Sequence, residues 1–177
     1  MKDPFPFPPI PALSEAVQPW ADRIGLPILP LHVHQVLGAA LLYTFIQLVV
    51  SPVLSNLFFA KYYPRTSRAK KLNWDAHVVS LVQSLLINGL ALWVLLASND
   101  ERSKLDWQQR VYAYDGASAM IQALAAGYFV WDLIVTVINL DVFGLGLLAH
   151  AVSALIVYSF GFVRLIPPLY PPTPQQR

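Results

Sequence analysis

The sequence predicts an all-α fold: a polytopic integral membrane helical bundle of about four transmembrane helices. Composition is the first observation behind this. Of the 177 residues, 56% are hydrophobic and 12% charged, with a mean hydropathy of +0.50, whereas a soluble domain carries roughly twice that charged fraction. The second is clustering. The apolar residues fall into four runs, roughly Leu31 to Phe59, Asp75 to Ala97, Gly116 to Leu140 and Val142 to Val163. Each is long enough to cross a hydrocarbon core of about 30 Å at about 1.5 Å per residue. The chain has no cysteine, which excludes disulfide frameworks, thiol nucleophiles and cysteine-held metals. The net charge of +2 comes from bases local to one loop and implies no nucleic acid partner.

Residues 1–30, "MKDPFPFPPIPALSEAVQPWADRIGLPILP", read as a proline-rich, irregular arm in which neither a continuous helix nor the core of a cleavable signal peptide forms. Within it "SEAVQPWADRI" suits either a short amphipathic piece at the interface, anchored by Trp20, or an exposed terminus. Residues 31–163 form the membrane bundle. Pro52 kinks or ends the first span, after which "SNLFFAKYY" returns the chain to the interface through aromatic residues. The third and fourth spans are joined by "DVFG" alone, which makes them an antiparallel hairpin. Residues 164–177, "RLIPPLYPPTPQQR", are too rich in proline for another helix and read as an irregular tail.

Orientation follows from the loops. The segment 60–74 carries Lys61, Arg65, Arg68, Lys70 and Lys71 with no acid before Asp75, whereas "SNDERSKLDWQQR" offsets its bases with Asp100, Glu101 and Asp106. The basic loop is therefore expected on the cytosolic side, with both termini and the second loop opposite.

At 100° per residue, Ser118, Ala125, Tyr128, Asp132, Thr136 and Asn139 fall within roughly 40° either side of one line down the third span. The second span places His77, Ser80, Ser84 and Asn88 on one side, with Gln83 at its border. The first aligns Ala40, Thr44, Gln47 and Ser51, and the fourth Gly146, His150, Ser153, Ala154 and Gly161. Small residues allow close approach and polar ones satisfy each other across helix contacts, so the four polar seams are expected to converge with Asp132 pointing inward. An intramembrane carboxylate is a functional hypothesis by default, but it serves equally as interhelical glue. The same two readings apply to His150. His32, His34 and His77 stand near span ends, where interface roles are expected.

"LNWDAHVVSLVQSLLING", "GYFVWDL" and "DVFGLGLLAHAVSALIVYSFGF" resemble, in order and spacing, part of a TLC domain. This membrane module is shared by ceramide synthases, translocating-chain-associated membrane proteins and smaller lipid-related proteins. The resemblance covers about 74–163 and is best for the small single-domain branch. It implies the endoplasmic reticulum, and it implies a role in binding, sensing or homeostasis of membrane lipids. Ceramide synthases have adjacent histidines in the last of these spans and acids in a later one; here the pair reads Ala149-His150. The family continues beyond "FGF" into about two more spans where this sequence turns to proline, so the resemblance implies a shortened domain. The corresponding expectation is a partial bundle, open on one side and prone to self-association.

Two functional classes follow. One is a non-catalytic membrane protein that engages lipids. The other is a ceramide-synthase-like acyltransferase using acyl-CoA, with His150 as general base and Asp132 fixing its ring. No phosphate-cradling glycine loop, H-E-x-x-H motif or broken-helix pair occurs, so no metal, cofactor or transport path is expected.

Overall fold

The computed structural model describes residues 1–64, 66–97 and 114–163, and among these all regular structure is helical. Six α-helices are present: α1 (Pro11–Arg23), α2 (Leu29–Phe45), α3 (Ser51–Phe58), α4 (Arg68–Ala97), α5 (Gly116–Ile138) and α6 (Leu140–Ser159). Four helical segments are long and apolar enough to cross a membrane: Leu29–Phe58, Arg68–Ala97, Gly116–Ile138 and Leu140–Phe162. They correspond to the four runs expected from the sequence, except that the second begins at Arg68, about two turns before the expected Asp75.

Pro52 neither ends nor breaks the first span. Its ring would collide with the carbonyl one turn back, and it has no N–H to donate. The helix answers by widening to a π segment over Ile46–Val50, where Ser51 N–H reaches the Ile46 carbonyl, and then continues as α3. Such single-turn widening absorbs a local mismatch and lets the helix continue. At the other junction, Gly144 has φ 72°, so the "DVFG" connection is one helical turn followed by a left-handed residue before the long part of α6. A glycine has no Cβ to oppose that conformation. Gln122 on α5 donates to the Tyr158 carbonyl near the far end of α6, which is the pairing expected of an antiparallel hairpin.

The first and third spans form the centre. Their most apolar windows are 33% and 39% buried, against 11% and 6% for the second and fourth. The close approach of α2 and α5 rests on small side chains: Ala39 and Ala40 on one helix, Ala123, Ala126 and Gly127 on the other, all buried. A Cβ on Gly127 would lie 2.5 Å from the Val36 carbonyl oxygen and 2.6 Å from the Ala39 Cβ. Below this contact Tyr43, Ile46, Val79 and Trp131 fill the space between three spans. Above it, Leu26, Ile28, Val36, Ala123, Ala126 and Phe162 form a second cluster, so the end of the fourth span packs back onto the residues leading into the first.

The amino-terminal arm departs from the irregular strand expected of residues 1–30. Residues 11–23 form a helix because Pro11 occupies its first turn, where no backbone donor is needed. Pro19 then lies inside it at the cost of one hydrogen bond. Trp20 is exposed, with the Arg23 guanidinium 5.3 Å from its ring centroid. Residues 1–10 run back across the start of the first span.

Candidate functional site

Only part of the polar seam expected from the sequence converges. Ser80 on α4 and Tyr128 on α5 share a hydroxyl hydrogen bond of 2.9 Å. Trp131 donates its indole N–H to Gln47 Oε1 at 3.1 Å, and Thr136 is buried. Gln83 is half-buried at the edge of this contact. Asn139 caps α5 and accepts from Arg68 Nη2 at 2.7 Å. The first-span seam faces inward as expected: Ala40, Gln47 and Ser51 are buried, and Thr44 returns its hydroxyl to the Ala40 carbonyl.

The remaining seam residues point elsewhere, correcting the expected fourfold convergence. Ser84 and Asn88 are exposed on α4 and bond to the carbonyls of Leu81 and Ser84 in their own helix. On α6, His150 and Ser153 are exposed, and the buried residue of that stretch is Ala151. The reason is packing order. The centre is already filled by α2 against α5, so α6 touches the bundle through α5 and through its own end at Phe162, and its polar face remains outside. Asp132 is half-buried. It has no hydrogen-bond partner among the described residues but lies within electrostatic range of the His150 imidazole. Asp132 and His150 thus stand on neighbouring helices at the α5–α6 boundary without a hydrogen bond or ion pair between them, and His150 opens outward.

Two polar assemblies, one buried and one running from buried His32 and Gln35 to exposed Tyr114 and Asp3, were not legible as sites. The first is built around Asp75, 3% exposed. Its carboxylate accepts from Ser51 Oγ at 2.7 Å, from Tyr63 Oη at 3.1 and 3.2 Å, and from Lys71 Nζ at 3.1 Å. Burial pushes the Tyr63 phenol up, keeping its proton available as a donor. Trp74, next in sequence, donates its indole N–H to Ser55 Oγ at 2.9 Å. The assembly fastens α3 and the chain after it to the first turns of α4. Reading Asp75 as the boundary of the second span hid it; the Lys71/Asp75 spacing of one helical turn was the available signal.

The second lies at the opposite end of the first span. Tyr114 Oη is 2.9 Å from His32 Nε2, His32 Nδ1 is 2.9 Å from Gln35 Oε1, and Gln35 Nε2 donates to Asp3 Oδ2 at 2.6 Å. Burial is the main reason the Tyr114 phenol is pushed up to about 12, so it acts as the donor. The chain of bonds then has one consistent direction: phenol to Nε2, Nδ1–H to the glutamine oxygen, glutamine amide to the carboxylate. His34 bonds the Phe7 carbonyl at 3.1 Å. His32 and His34, near the start of the first span, are therefore buried anchors for the amino-terminal arm, whereas His77 is exposed.

A groove of about 510 Å³ opens between the second half of α4 and the first half of α5, lined by Asn88, Ala91, Leu92, Leu95, Ser118 and Ile121. Ser118 Oγ is committed to Asp115, which also caps α5 by accepting from Ser118 N–H, and the Asn88 amide N–H₂ is committed to Ser84. Asn88 Oδ1 is left as an acceptor in an otherwise apolar trough. Among the described residues no group of three or more histidine, aspartate or glutamate side chains is placed to hold a metal ion.

A family model described as the TLC domain matches residues 73–170. Among curated proteins, the chain is 42% identical over 151 residues to an uncharacterized TLC domain-containing protein of Schizosaccharomyces pombe, covering 85% of this chain and 49% of that one. It is 28% identical over 127 residues to the topoisomerase I damage affected protein 4 of Saccharomyces cerevisiae, covering 71% and 43%. With the TLC domain-containing protein 4 C of Dictyostelium discoideum it shares 30% identity over 95 residues, 54% and 33% of the two chains. The chain spans about half the length, or less, of these relatives. No solved structure matches.

Proposed function

The chain belongs to the TLC-domain family of integral membrane proteins, and from that premise we propose that it binds or senses membrane lipids in the endoplasmic reticulum without catalysing their chemistry. The observation that carries this reading is the α4–α5 groove. It has the volume and apolar lining for an acyl chain and one uncommitted amide oxygen for a hydroxyl or amide near a headgroup, and its one hydroxyl, that of Ser118, is tied to the Asp115 cap of α5. Incorporation of a photoreactive fatty acyl lipid should map to the α4 segment containing Ala91 and Leu95, and Ala91→Trp should reduce it severalfold by filling the trough. Labelling that ignores Ala91→Trp would remove the groove from the argument.

A second reading, acyl transfer from acyl-CoA, is favoured by the proximity of Asp132 and His150. There the imidazole would take the proton from an attacking amine or hydroxyl as the acyl carbon leaves the thioester sulfur, and the departing thiolate would be protonated in turn. His150-dependent turnover of a long-chain acyl-CoA with a sphingoid base would establish this reading and overturn the non-catalytic one.

The orientation belongs to the same proposal: the basic segment 60–74 lies on the cytosolic face, as its unopposed lysines and arginines favour. A cysteine at Ser67 should resist lumenal thiol reagents while one at Ser103, outside the described residues, reacts. The reverse pattern would invert the topology. The outward polar face of α6 supports self-association, with His150 and Ser153 at the contact.

A further inference from the structure

A second groove, of about 400 Å³, lies at the other end of α4, away from the trough between α4 and α5. It is lined by Pro64, Lys70, Asn73, Trp74 and His77. Its walls are fixed. The Trp74 indole is held by its bond to Ser55 and lies against the rings of Phe59 and Tyr63, at centroid distances of 6.5 and 6.1 Å. Pro64 adds a rigid rim. Aromatic side chains of this kind settle at the boundary between hydrocarbon and headgroups. Phe58, Phe59 and Tyr62 are exposed around the same level.

The charges at this level are mostly committed. Lys71 is bound to Asp75 at 3.1 Å, Arg68 to Asp141 at 2.7 Å, and the Lys61 ammonium lies 5.8 Å from the Tyr62 ring centroid. The Lys70 ammonium has no partner among the described residues, and it borders the groove. His77 is oriented for the same space. Its Nδ1 is 2.7 Å from the Asn73 carbonyl, which can only accept, so Nδ1 carries hydrogen and Nε2 is left facing outward. With its hydrogen on Nδ1, the ring offers Nε2 as an acceptor for a hydroxyl, such as the P–OH of a phosphate monoester.

The groove also continues in the direction a lipid requires. Positions 70, 74, 77, 81 and 85 succeed one another at three- and four-residue steps along one face of α4, with 73 beside them. Leu81 and Leu85 are 58% and 67% exposed. Polar contacts at the interface thus pass directly into an apolar stripe within the hydrocarbon layer. A free phosphate would use only the first part of this surface; a glycerophospholipid uses both.

We infer that the base of α4 is a binding site for an anionic glycerophospholipid, with its phosphate held between Lys70 and His77 beside Trp74 and its acyl chains lying over Leu81 and Leu85. This site is separate from the α4–α5 trough and does not depend on what the trough holds. Anionic recognition comes from the one uncommitted ammonium lining the pocket among the described residues, not from the diffuse charge of the basic segment.

The test uses the whole chain reconstituted in phosphatidylcholine vesicles with a trace of photoactivatable phosphatidic acid, or of photoactivatable phosphatidylcholine in parallel. Phosphatidic acid should label the 70–85 stretch in preference. Lys70→Gln should cut that labelling about fivefold, the upper end for loss of one exposed ion pair. Lys61→Gln, which alters net charge equally but removes no contact with the lipid, should change it less than about twofold. Excess unlabelled phosphatidic acid should compete and glycerol 3-phosphate should not. Both substitutions sit on exposed side chains, and an unchanged elution profile confirms that each variant is folded. Equal losses in the two variants, no preference over phosphatidylcholine, or competition by glycerol 3-phosphate would each overturn the lipid site.

Discussion

Gly127→Ala is expected to destabilise the bundle, while Gly38→Ala, on the facing span, leaves it unchanged or slightly stabilises it. Helix propensity alone predicts the same sign for both, because alanine is favoured over glycine in a helix by about 1 kcal/mol. The surroundings separate them. A Cβ at Gly38 meets nothing within 4 Å, whereas at Gly127 it lands 2.5 Å from a backbone carbonyl oxygen and 3.2 Å from the Ala40 backbone nitrogen. Backbone cannot rotate aside as a side chain can, so α2 and α5 must separate. Overpacking of this kind costs about 1–3 kcal/mol, and Gly127→Leu should exceed that and abolish the folded protein. Thermal unfolding in detergent measures both variants. If Gly127→Ala melted no lower than Gly38→Ala, the close approach of the first and third spans would be wrong.

Asp75→Ala should be the most damaging replacement of any single carboxylate in the described spans. It strands the hydroxyls of Ser51 and Tyr63, and an unsatisfied buried donor costs about 1–3 kcal/mol. Lys71, 45% exposed, can turn to water and adds less. Asp75→Asn keeps an acceptor for Ser51 and should fall between wild type and alanine. Asp132→Asn should cost about 1 kcal/mol or less, the range of substitutions that break no buried network, because no hydrogen bond is lost. The comparison, read from the intrinsic tryptophan fluorescence transition in denaturant, inverts the ranking that the sequence suggests, in which Asp132 stands in the middle of an apolar run and Asp75 at its edge. A larger loss for Asp132→Asn than for Asp75→Ala would mean that the α5–α6 boundary is enclosed, contrary to the exposure of His150 and Ser153.

That inversion shows what was legible and why. Asp132 drew attention because hydropathy is a local quantity, and a charge within "GYFVWDL" stands out against its neighbours. Asp75 did not, because the residues that bury it come from elsewhere: Ser51 from the end of the first span and Tyr63 from the intervening chain. The same holds for His32. Its partners are three residues away at Gln35 and 82 away at Tyr114, and no periodicity links the last of these to the first span. Propensity alone allows Pro52 to end the first span and denies the proline-rich arm a helix, yet the span continues through a π segment and α1 forms around Pro19. A span pressed against two neighbours can widen by one residue per turn more cheaply than it can stop.

By itself the sequence determined the solvent, the number and approximate centres of the spans, the hairpin between the third and fourth, and the likeness to the TLC family. These depend on run length, hydropathy and residue order, which the chain carries locally. Which faces meet was decided only by the tertiary structure. Each helix offers a polar stripe and several small-residue stripes, and their spacing does not rank them. The ranking comes from the approach distance that Gly127, Ala39 and Ala40 permit. Once those backbones are in contact, α4 and α6 can only pack at the sides, so half of the expected seam is turned outward and the buried polar contacts move to the two ends of the first span.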